Sequence, residues 1–461
     1  MLSKKLEQIL SGPKHPKHEF IISKYTYETI YALAAGIRNS LESKNGPICV
    51  CTEDKGIVAA TLLATLASGS TMVLPYALSK QAIREIREVV GFKTAITDQP
   101  EKLPSEISPI VPEPCCNVAP PFSLVTDPNS VFLKFYTGGS TGKPKTWSKT
   151  PRNMFEEAFY LSQRYNISKN DRILATVPPY HIYGFLFSVL IPFVSSAGVV
   201  AKICTFPQEI RDALQNYSAT ILVSVPMHYR ILRDGEIPGD SLRISFSSAG
   251  KLDKTDGDYF YKQTGVDLVE IYGSTETGGV ASRCIAANEV PMEPFDIVDW
   301  KVVDERLHVR SAFISPEIPK DSEGFFMTGD RVRTYDNKFM LLGRADGIVK
   351  VGGKRVDIEE VRNKLKQIHK IREVIVFAMP DARGKENEIY ALVQGSINKD
   401  RFREEASKIV EPYALPRHIE IVDKIPVSST GKYDKKAIEQ IFKIEQLRIH
   451  EILAKKGGVQ L

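Results

Sequence analysis

Thiols are few in this chain and wrongly spaced for a metal site or a disulfide framework. Cys49, Cys51, Cys115, Cys116, Cys204 and Cys284 contain no CxxC pair and fall at no zinc-site interval from a histidine. That sets aside zinc ribbons and stapled secreted scaffolds and leaves a reduced, cytoplasmic chain as the expectation. Cys49 and Cys51 read as small buried residues of an apolar strand, ICVC. A one-sided charge is also missing. The 61 Lys+Arg and 56 Asp+Glu leave +5 at neutral pH and interleave throughout, so nucleic-acid binding is not expected. Nor is there a clean membrane span. Residues 56–77 and 184–201 carry no charge, but the first is broken by Ser68-Gly69-Ser70 and the second by Pro192, Ser195-Ser196 and Gly198. Each reads as a buried helix followed by a short strand, not as a membrane insertion. The N-terminus scatters charge where a secretory signal needs an apolar stretch, so no signal is expected.

What is present is a composition suited to a large soluble enzyme. The chain has 461 residues, 43% hydrophobic and 25% charged, ample for several domains at ~100–200 residues each. Its most informative stretch is residues 136–145, YTGGSTGKPK, directly after the apolar residues Val131, Phe132 and Leu133. Gly138, Gly139 and Gly142 let backbone N–H groups approach an anion; Thr137, Ser140 and Thr141 add hydroxyl donors, and Lys143 and Lys145 add charge. Such a loop holds phosphate, and the ligand expected is a nucleoside triphosphate. It is not the common GxxxxGK[ST] loop. Thr137 stands where the first glycine would be, and Pro144 follows Lys143 in place of the metal-binding hydroxyl, which weakens a kinase or motor ATPase reading.

Up to about residue 290, strand-like runs alternate with amphipathic helical ones, the pattern of parallel sheets covered by helices. Thr150-Pro151 makes a helix start, with Met154, Phe155, Ala158 and Phe159 as its apolar face. Residues 173–177, 219–225 and 243–246 read as strands, and their carboxyl ends are where open α/β sheets place ligands. Two of those ends continue into PPYHIYG, with His181, and SSAGKL, with Ala249 and Gly250. Another apolar run leads into residues 270–279, EIYGSTETGG.

The loop ending in Lys-Pro-Lys and the EIYGSTETGG segment together resemble the AMP-forming adenylating enzymes, the superfamily of acyl-CoA synthetases, peptide-synthetase adenylation domains and luciferases. Further motifs carry the likeness: Thr328-Gly329-Asp330, Gly343-Arg344, Asp346, residues 349–357 (VKVGGKRVD) and residues 426–432 (PVSSTGK). The resemblance implies an α/β fold in which a large N-terminal domain of parallel and mixed sheets, residues 1–343, precedes a small mobile α+β domain, residues 344–461. It implies that the 137–145 loop cradles ATP, that Ala249 and Gly250 also bind the nucleotide, and that Tyr272 stacks on adenine, Thr275 donates to the α-phosphate and Glu276 ligates Mg²⁺. Asp330 and Arg344 would reach the ribose or phosphate, and His181, Val225 and Gly278 would wall the acid pocket. Asp346 would be the hinge and Lys432 the catalytic lysine, whose charge stabilises the negative centre formed when a carboxylate attacks phosphorus. Asp357 and Glu360 would cap a helix with Ile358, Val361, Leu365 and Ile368 on its apolar face.

The activity implied is adenylation of a small carboxylic acid with MgATP, then transfer of the acyl group to a thiol. The acceptor would be coenzyme A or the phosphopantetheine of a free-standing acyl-carrier protein, since no carrier domain follows Lys432. Residues 344–461 hold 24 Lys+Arg against 18 Asp+Glu, so +6 lies there and about −1 on the rest, a balance that suits either partner or plain solvation. A noncatalytic adenylate-binding protein and a luciferase-like oxygenase are the other readings of this scaffold. The chain departs from the family at Gly139 and in the segment after Asp357, neither of which touches a proposed catalytic group, and it is short for the family, which implies trimmed surface elements and a small acid substrate. Oligomeric state is not legible.

Overall fold

Short runs separated by helices build the two largest of the five sheets among the described residues. The computed structural model describes residues 2–42, 46–115, 122–137, 145–285, 291–351, 354–380, 387–428, 433–434 and 436–442. One sheet has six strands in the order Ser108–Ile110, Thr94–Ile96, Ile48–Val50, Met72–Leu74, Leu133–Thr137 and Lys145–Lys149. All its pairings are parallel except the last, an antiparallel hairpin. The other has nine strands, and its parallel centre runs Leu268–Ser274, Ile244–Ser247, Ile221–Ser224, Arg172–Ala175, Gly198–Val199 and Glu19–Ile21. Antiparallel strands close both edges, among them Gly278–Cys284 beside Leu268–Ser274.

The first charge-free run is the helix Lys55–Ser68, N-capped by Asp54, with every residue from Lys55 to Ala67 buried, and the strand Met72–Leu74 follows it. The second is the helix Ile182–Phe185, a π-helical turn Leu186–Leu190, the helix Ile191–Ser195 and the strand Gly198–Val199. Core helix and strand, as expected, account for both. No helix among the described residues is long and apolar enough to cross a membrane.

Lys55 was not foreseen. It opens a helix that follows a strand of the six-stranded sheet, and its buried Nζ donates to the carbonyls of Ala175 (3.3 Å), Val200 (2.8 Å) and Lys202 (3.3 Å), at strand ends of the nine-stranded sheet. Burial pulls this ammonium down to about 8, against the nearby Cys204 and Asp54. One side chain thus satisfies three carbonyls that no strand pairs.

The chain divides into two compact units. The first is Met1–Trp300, Val309–Phe326 and Asp336–Phe339; the second is Lys301–His308, Met327–Tyr335 and Met340–Leu461. The second contains a three-stranded sheet, Ile371–Pro380, Asn387–Gly395 and His418–Val422, antiparallel then parallel. The helix Ile358–Leu365 packs Val361 and Leu365 into its core with Val374, Ile389 and Phe402. Asp357 caps that helix, its Oδ1 accepting from the N–H groups of Glu359 (3.0 Å) and Glu360 (3.3 Å).

In the first unit, the helix Pro151–Arg164 starts at a reciprocal cap. Thr150 Oγ1 accepts the Asn153 N–H at 3.1 Å, and Asn153 Oδ1 accepts the Thr150 N–H at 2.9 Å. Thr150→Ala removes one half of that exchange and is expected to cost about 1 kcal/mol, read as a lower urea midpoint by circular dichroism. An unchanged midpoint would show that the helix does not depend on its cap.

Candidate active site

The glycine-rich segment is framed by a hairpin. Thr137 and Lys145 are cross-strand partners at the end of the ladder that joins Leu133–Thr137 to Lys145–Lys149, so the intervening segment begins and ends at one place. Thr137 Oγ1 accepts a hydrogen bond from Trp147 Nε1 at 3.1 Å, and Lys145 is exposed. Gly138, Gly139, Ser140, Thr141, Gly142 and Lys143 lie outside the described residues, as does Lys432.

The EIYGSTETGG segment is a second hairpin, strand Leu268–Ser274 returning as Gly278–Cys284. Its two outer hydroxyl residues close the turn. The Ser274 N–H donates to Thr277 Oγ1 at 3.1 Å, the Thr277 N–H donates to Ser274 Oγ at 3.2 Å, and the two hydroxyls lie 2.9 Å apart. Thr275 and Glu276 between them are left half-buried. Among the described residues the Glu276 carboxylate enters no hydrogen bond or ion pair. A lone carboxylate suits Mg²⁺, a hard cation that keeps water and substrate phosphate oxygens as its other ligands.

Below this turn lie three buried polar side chains that the sequence reading missed: Lys149, Asn153 and Glu157. Lys149 Nζ donates to the carbonyls of Phe313 (2.9 Å) and Glu276 (3.4 Å). Asn153 Nδ2 donates to those of Ala312 (2.6 Å) and Ile314 (3.2 Å), and Glu157 Oε1 accepts the Gly279 N–H at 2.8 Å. Desolvation brings the Lys149 ammonium down to about 8, opposed by the charges of Glu157, Glu276 and Glu317, and desolvation raises the Glu157 carboxyl. Gly278 has φ +66°, and a Cβ there would stand 2.7 Å from both Glu157 Oε2 and Phe313 Cβ, so only glycine fits. A signal for Glu157 did exist: it stands one helical turn from Met154 and beside Ala158, on the apolar face of its helix.

The SSAGKL turn sits at the end of the neighbouring strand Ile244–Ser247. Ala249 and Gly250 are exposed, and Ala249 adopts a left-handed φ of 70°, a conformation that costs a residue with a Cβ. The surroundings hold it. Ser248 Oγ donates to the Ile271 carbonyl at 2.9 Å, and Glu270 Oε1 accepts the Leu252 N–H at 2.8 Å while Oε2 pairs with Arg283 at 2.6 Å. Tyr272, half-buried, meets the ring of Phe339 edge to face at 5.8 Å.

His181 precedes the helix Ile182–Phe185 and its ring tilts against Tyr180 at 4.8 Å. Val225 is buried at the end of strand Ile221–Ser224. Around that strand end is a second unforeseen cluster. His228 Nδ1 lies 2.8 Å from Thr176 Oγ1 and 3.2 Å from Ser224 Oγ, and the two hydroxyls are 2.7 Å apart. Burial lowers the His228 imidazole to about 4. In the first unit, Thr137 and Lys145 thus stand at one end of a hairpin of the six-stranded sheet, while Val225, Ala249, Gly250, Tyr272, Thr275, Glu276 and Gly278 stand near or after the ends of neighbouring strands of the nine-stranded sheet, with His181 in the segment after Arg172–Ala175.

In the second unit, Asp330 and Arg344 face each other at 3.9 Å, Arg344 exposed. A Cβ on Gly329 would stand 2.5 Å from the Arg344 guanidinium carbon, so that glycine makes room for the arginine. Asp346 lies in the short 3₁₀ turn Ala345–Gly347. The residues either side of the 428–432 segment are joined by an antiparallel bridge between Val427 and Tyr433.

The chain belongs to the AMP-binding enzyme family, whose model matches residues 11–311. It is 25% identical over 368 residues to the mitochondrial malonate–CoA ligase of Mus musculus, which covers 66% of this chain and 63% of that protein. To the sulfoacetate–CoA ligase of Cupriavidus necator it is 22% identical over 401 residues, covering 80% of this chain and 77% of that protein. The fold is that of ATP-bound MatB from Rhodopseudomonas palustris, at TM-score 0.83 and 18% identity over 96% of this chain and 99% of that one. A benzoate CoA ligase from Burkholderia xenovorans shares it at TM-score 0.78 and 17% identity, covering 95% of this chain and 99% of that one.

Because the folded state holds His228 neutral down to about pH 4 while the unfolded imidazole protonates near 6.5, unfolding takes up a proton between those values. Stability is then full above pH 6.5 and falls as pH drops towards 4, by about 3 kcal/mol at most. His228→Gln is expected to flatten that part of the stability profile, measured by denaturant titration at pH 7, 6 and 5. An unaltered slope would show that another group carries it.

Proposed function

We propose that this protein is an AMP-forming ligase that adenylates a carboxylic acid with MgATP and passes the acyl group to the thiol of coenzyme A. The observation that carries this reading is the cross-bonded Ser274–Thr277 turn, which leaves the Thr275 hydroxyl and the Glu276 carboxylate to the ligand at a strand end. Membership of the AMP-binding family supports it. The short acids in two relatives' names, malonate and sulfoacetate, support a small carboxylic acid as substrate.

In this proposal a carboxylate oxygen attacks the α-phosphorus, the bond to pyrophosphate breaks, and an acyl-adenylate remains. The thiol then attacks the carbonyl carbon, and AMP leaves. Thr275 donates to an α-phosphate oxygen, Tyr272 stacks on adenine beside Ala249 and Gly250, and Asp330 accepts from the ribose hydroxyls with Arg344 alongside. Glu276 would hold Mg²⁺, which when bound neutralises phosphate charge. Thr137 to Lys145 cradle the phosphates, and His181, Val225 and Gly278 border the acid. Lys432 places a cation where charge accumulates on phosphorus and on departing pyrophosphate. A boundary between residues 343 and 344, rotation about Asp346 and a cytoplasmic location belong to the same proposal. The runner-up acceptor is a free-standing acyl-carrier protein, which the net +6 of residues 344–461 suits as well as it suits coenzyme A, and mass detection of the product with each thiol decides between them.

Acid-dependent exchange of pyrophosphate into ATP, screened over a panel of acids, is the expected activity, and chelation of Mg²⁺ abolishes it. Lys432→Ala is expected to lower the exchange rate about 10²-fold or more. Exchange at the wild-type rate in that variant would reject the role of Lys432, and exchange with no acid at all would reject the reading.

A further inference from the structure

Lys149 and Glu157 have no part in the chemistry proposed above, yet both are buried directly beneath residues that do. We infer that they are positioning residues: Lys149 fixes the backbone of the hairpin turn 274–279 to the strand leaving the phosphate loop and Glu157 fixes it to the helix that follows, so that Thr275 and Glu276 stay aimed at bound MgATP. The inference rests on the adenylation reading and adds to it two residues and a mechanical link.

Its basis is where the hydrogen bonds fall. The Glu276 carbonyl takes two donors, the Ser315 N–H at 2.8 Å and Lys149 Nζ at 3.4 Å, so both of its lone pairs are engaged from below. Three residues on, the Gly279 N–H donates to Glu157 Oε1 at 2.8 Å. These anchors lie on either side of Thr277-Gly278, and the turn cannot tilt without breaking one of them. The same ammonium also reaches the Phe313 carbonyl at 2.9 Å, and the backbone N–H of Ser148 donates to Glu317 Oε1 at 2.5 Å. The segment from Phe313 to Glu317 is thereby tied to the same strand.

Lys149 is the last residue of the strand Lys145–Lys149, paired with Leu133, and Lys145 is the first. One rigid element therefore carries an exposed lysine at the phosphate end and, at its other end, the cation that holds the Glu276 backbone. Burying that cation is costly, and a methionine would fill the space without desolvating a charge. An ammonium earns its place by donating in several directions at once, to carbonyls from two separate segments. The buried Glu157 offsets its charge.

The test is calorimetric titration of the folded full-length chain with MgATP, alongside exchange kinetics, for wild type, Lys149→Met, Lys149→Arg and Glu157→Met. Lys149→Met and Glu157→Met are expected to weaken MgATP binding about tenfold and lower kcat about 10- to 100-fold, the range for small misplacements of reacting groups. KM for the acid is expected to stay within about twofold, and Lys149→Arg to recover most of the affinity. A residue serving stability alone would lower the melting temperature and leave the MgATP affinity of the folded protein unchanged, which would overturn the inference. Should Lys149→Met not fold, Glu157→Met, close in volume to the native residue, decides by the same criteria. Wild-type protein that binds no MgATP would sink the adenylation reading and this one with it, whereas wild-type binding with unaffected variants would sink the positioning role alone.

Discussion

A turn that offers two side chains outward has to satisfy its own backbone from within, and this constraint organises the centre of the first unit. The Ser274–Thr277 hydroxyls close the turn laterally. Lys149 and Glu157 complete the backbone from below, and Asn153 does the same for the adjoining segment at Ala312 and Ile314. Each bond matters because an unpaired backbone group in this dry layer would cost about 1–3 kcal/mol. Thr275 and Glu276 thus rest on a backbone held partly by Lys149 and Glu157, which are both buried.

Lys55 solves a related problem elsewhere, gathering three carbonyls at the ends of interior strands of the nine-stranded sheet from a helix that follows a strand of the six-stranded one. In both places a flexible aliphatic stem crosses an apolar layer and delivers several donors to backbone that no strand can pair. Burial holds both ammonium groups near 8. Charge within the core is spent on satisfying backbone, and the Glu270–Arg283 pair under the strained Ala249 turn follows the same logic.

Features whose chemistry is local were legible in the sequence. Thr150-Pro151 begins a helix because an N-cap and a fixed φ act within a few residues, and Asp357 caps the next for the same reason. The apolar runs became strands within one or two residues of expectation, as with Ile244–Ser247 against 243–246. The glycine-rich and EIYGSTETGG segments stood out because hydroxyl, glycine and charged residues lie side by side in them, and the second is a hairpin turn in the structure. Features that depend on distant partners were not. KTWSK has no apolar run to mark it, and it became a strand because Leu133–Thr137 supplies its ladder. Lys149, Glu157, Lys55 and His228 are residue types usually found in solvent, and only the packing of elements more than a hundred residues apart in sequence buries most of them. The left-handed Ala249 has no sequence signature at all.

The central claim is that a carboxylate oxygen bonds to the α-phosphorus of ATP. Running the reaction with ¹⁸O-labelled acid and the thiol, then weighing the nucleotide product, tests it directly. The account requires AMP carrying one ¹⁸O taken from the acid. Unlabelled AMP, or label appearing in orthophosphate with ADP as the nucleotide product, would contradict it.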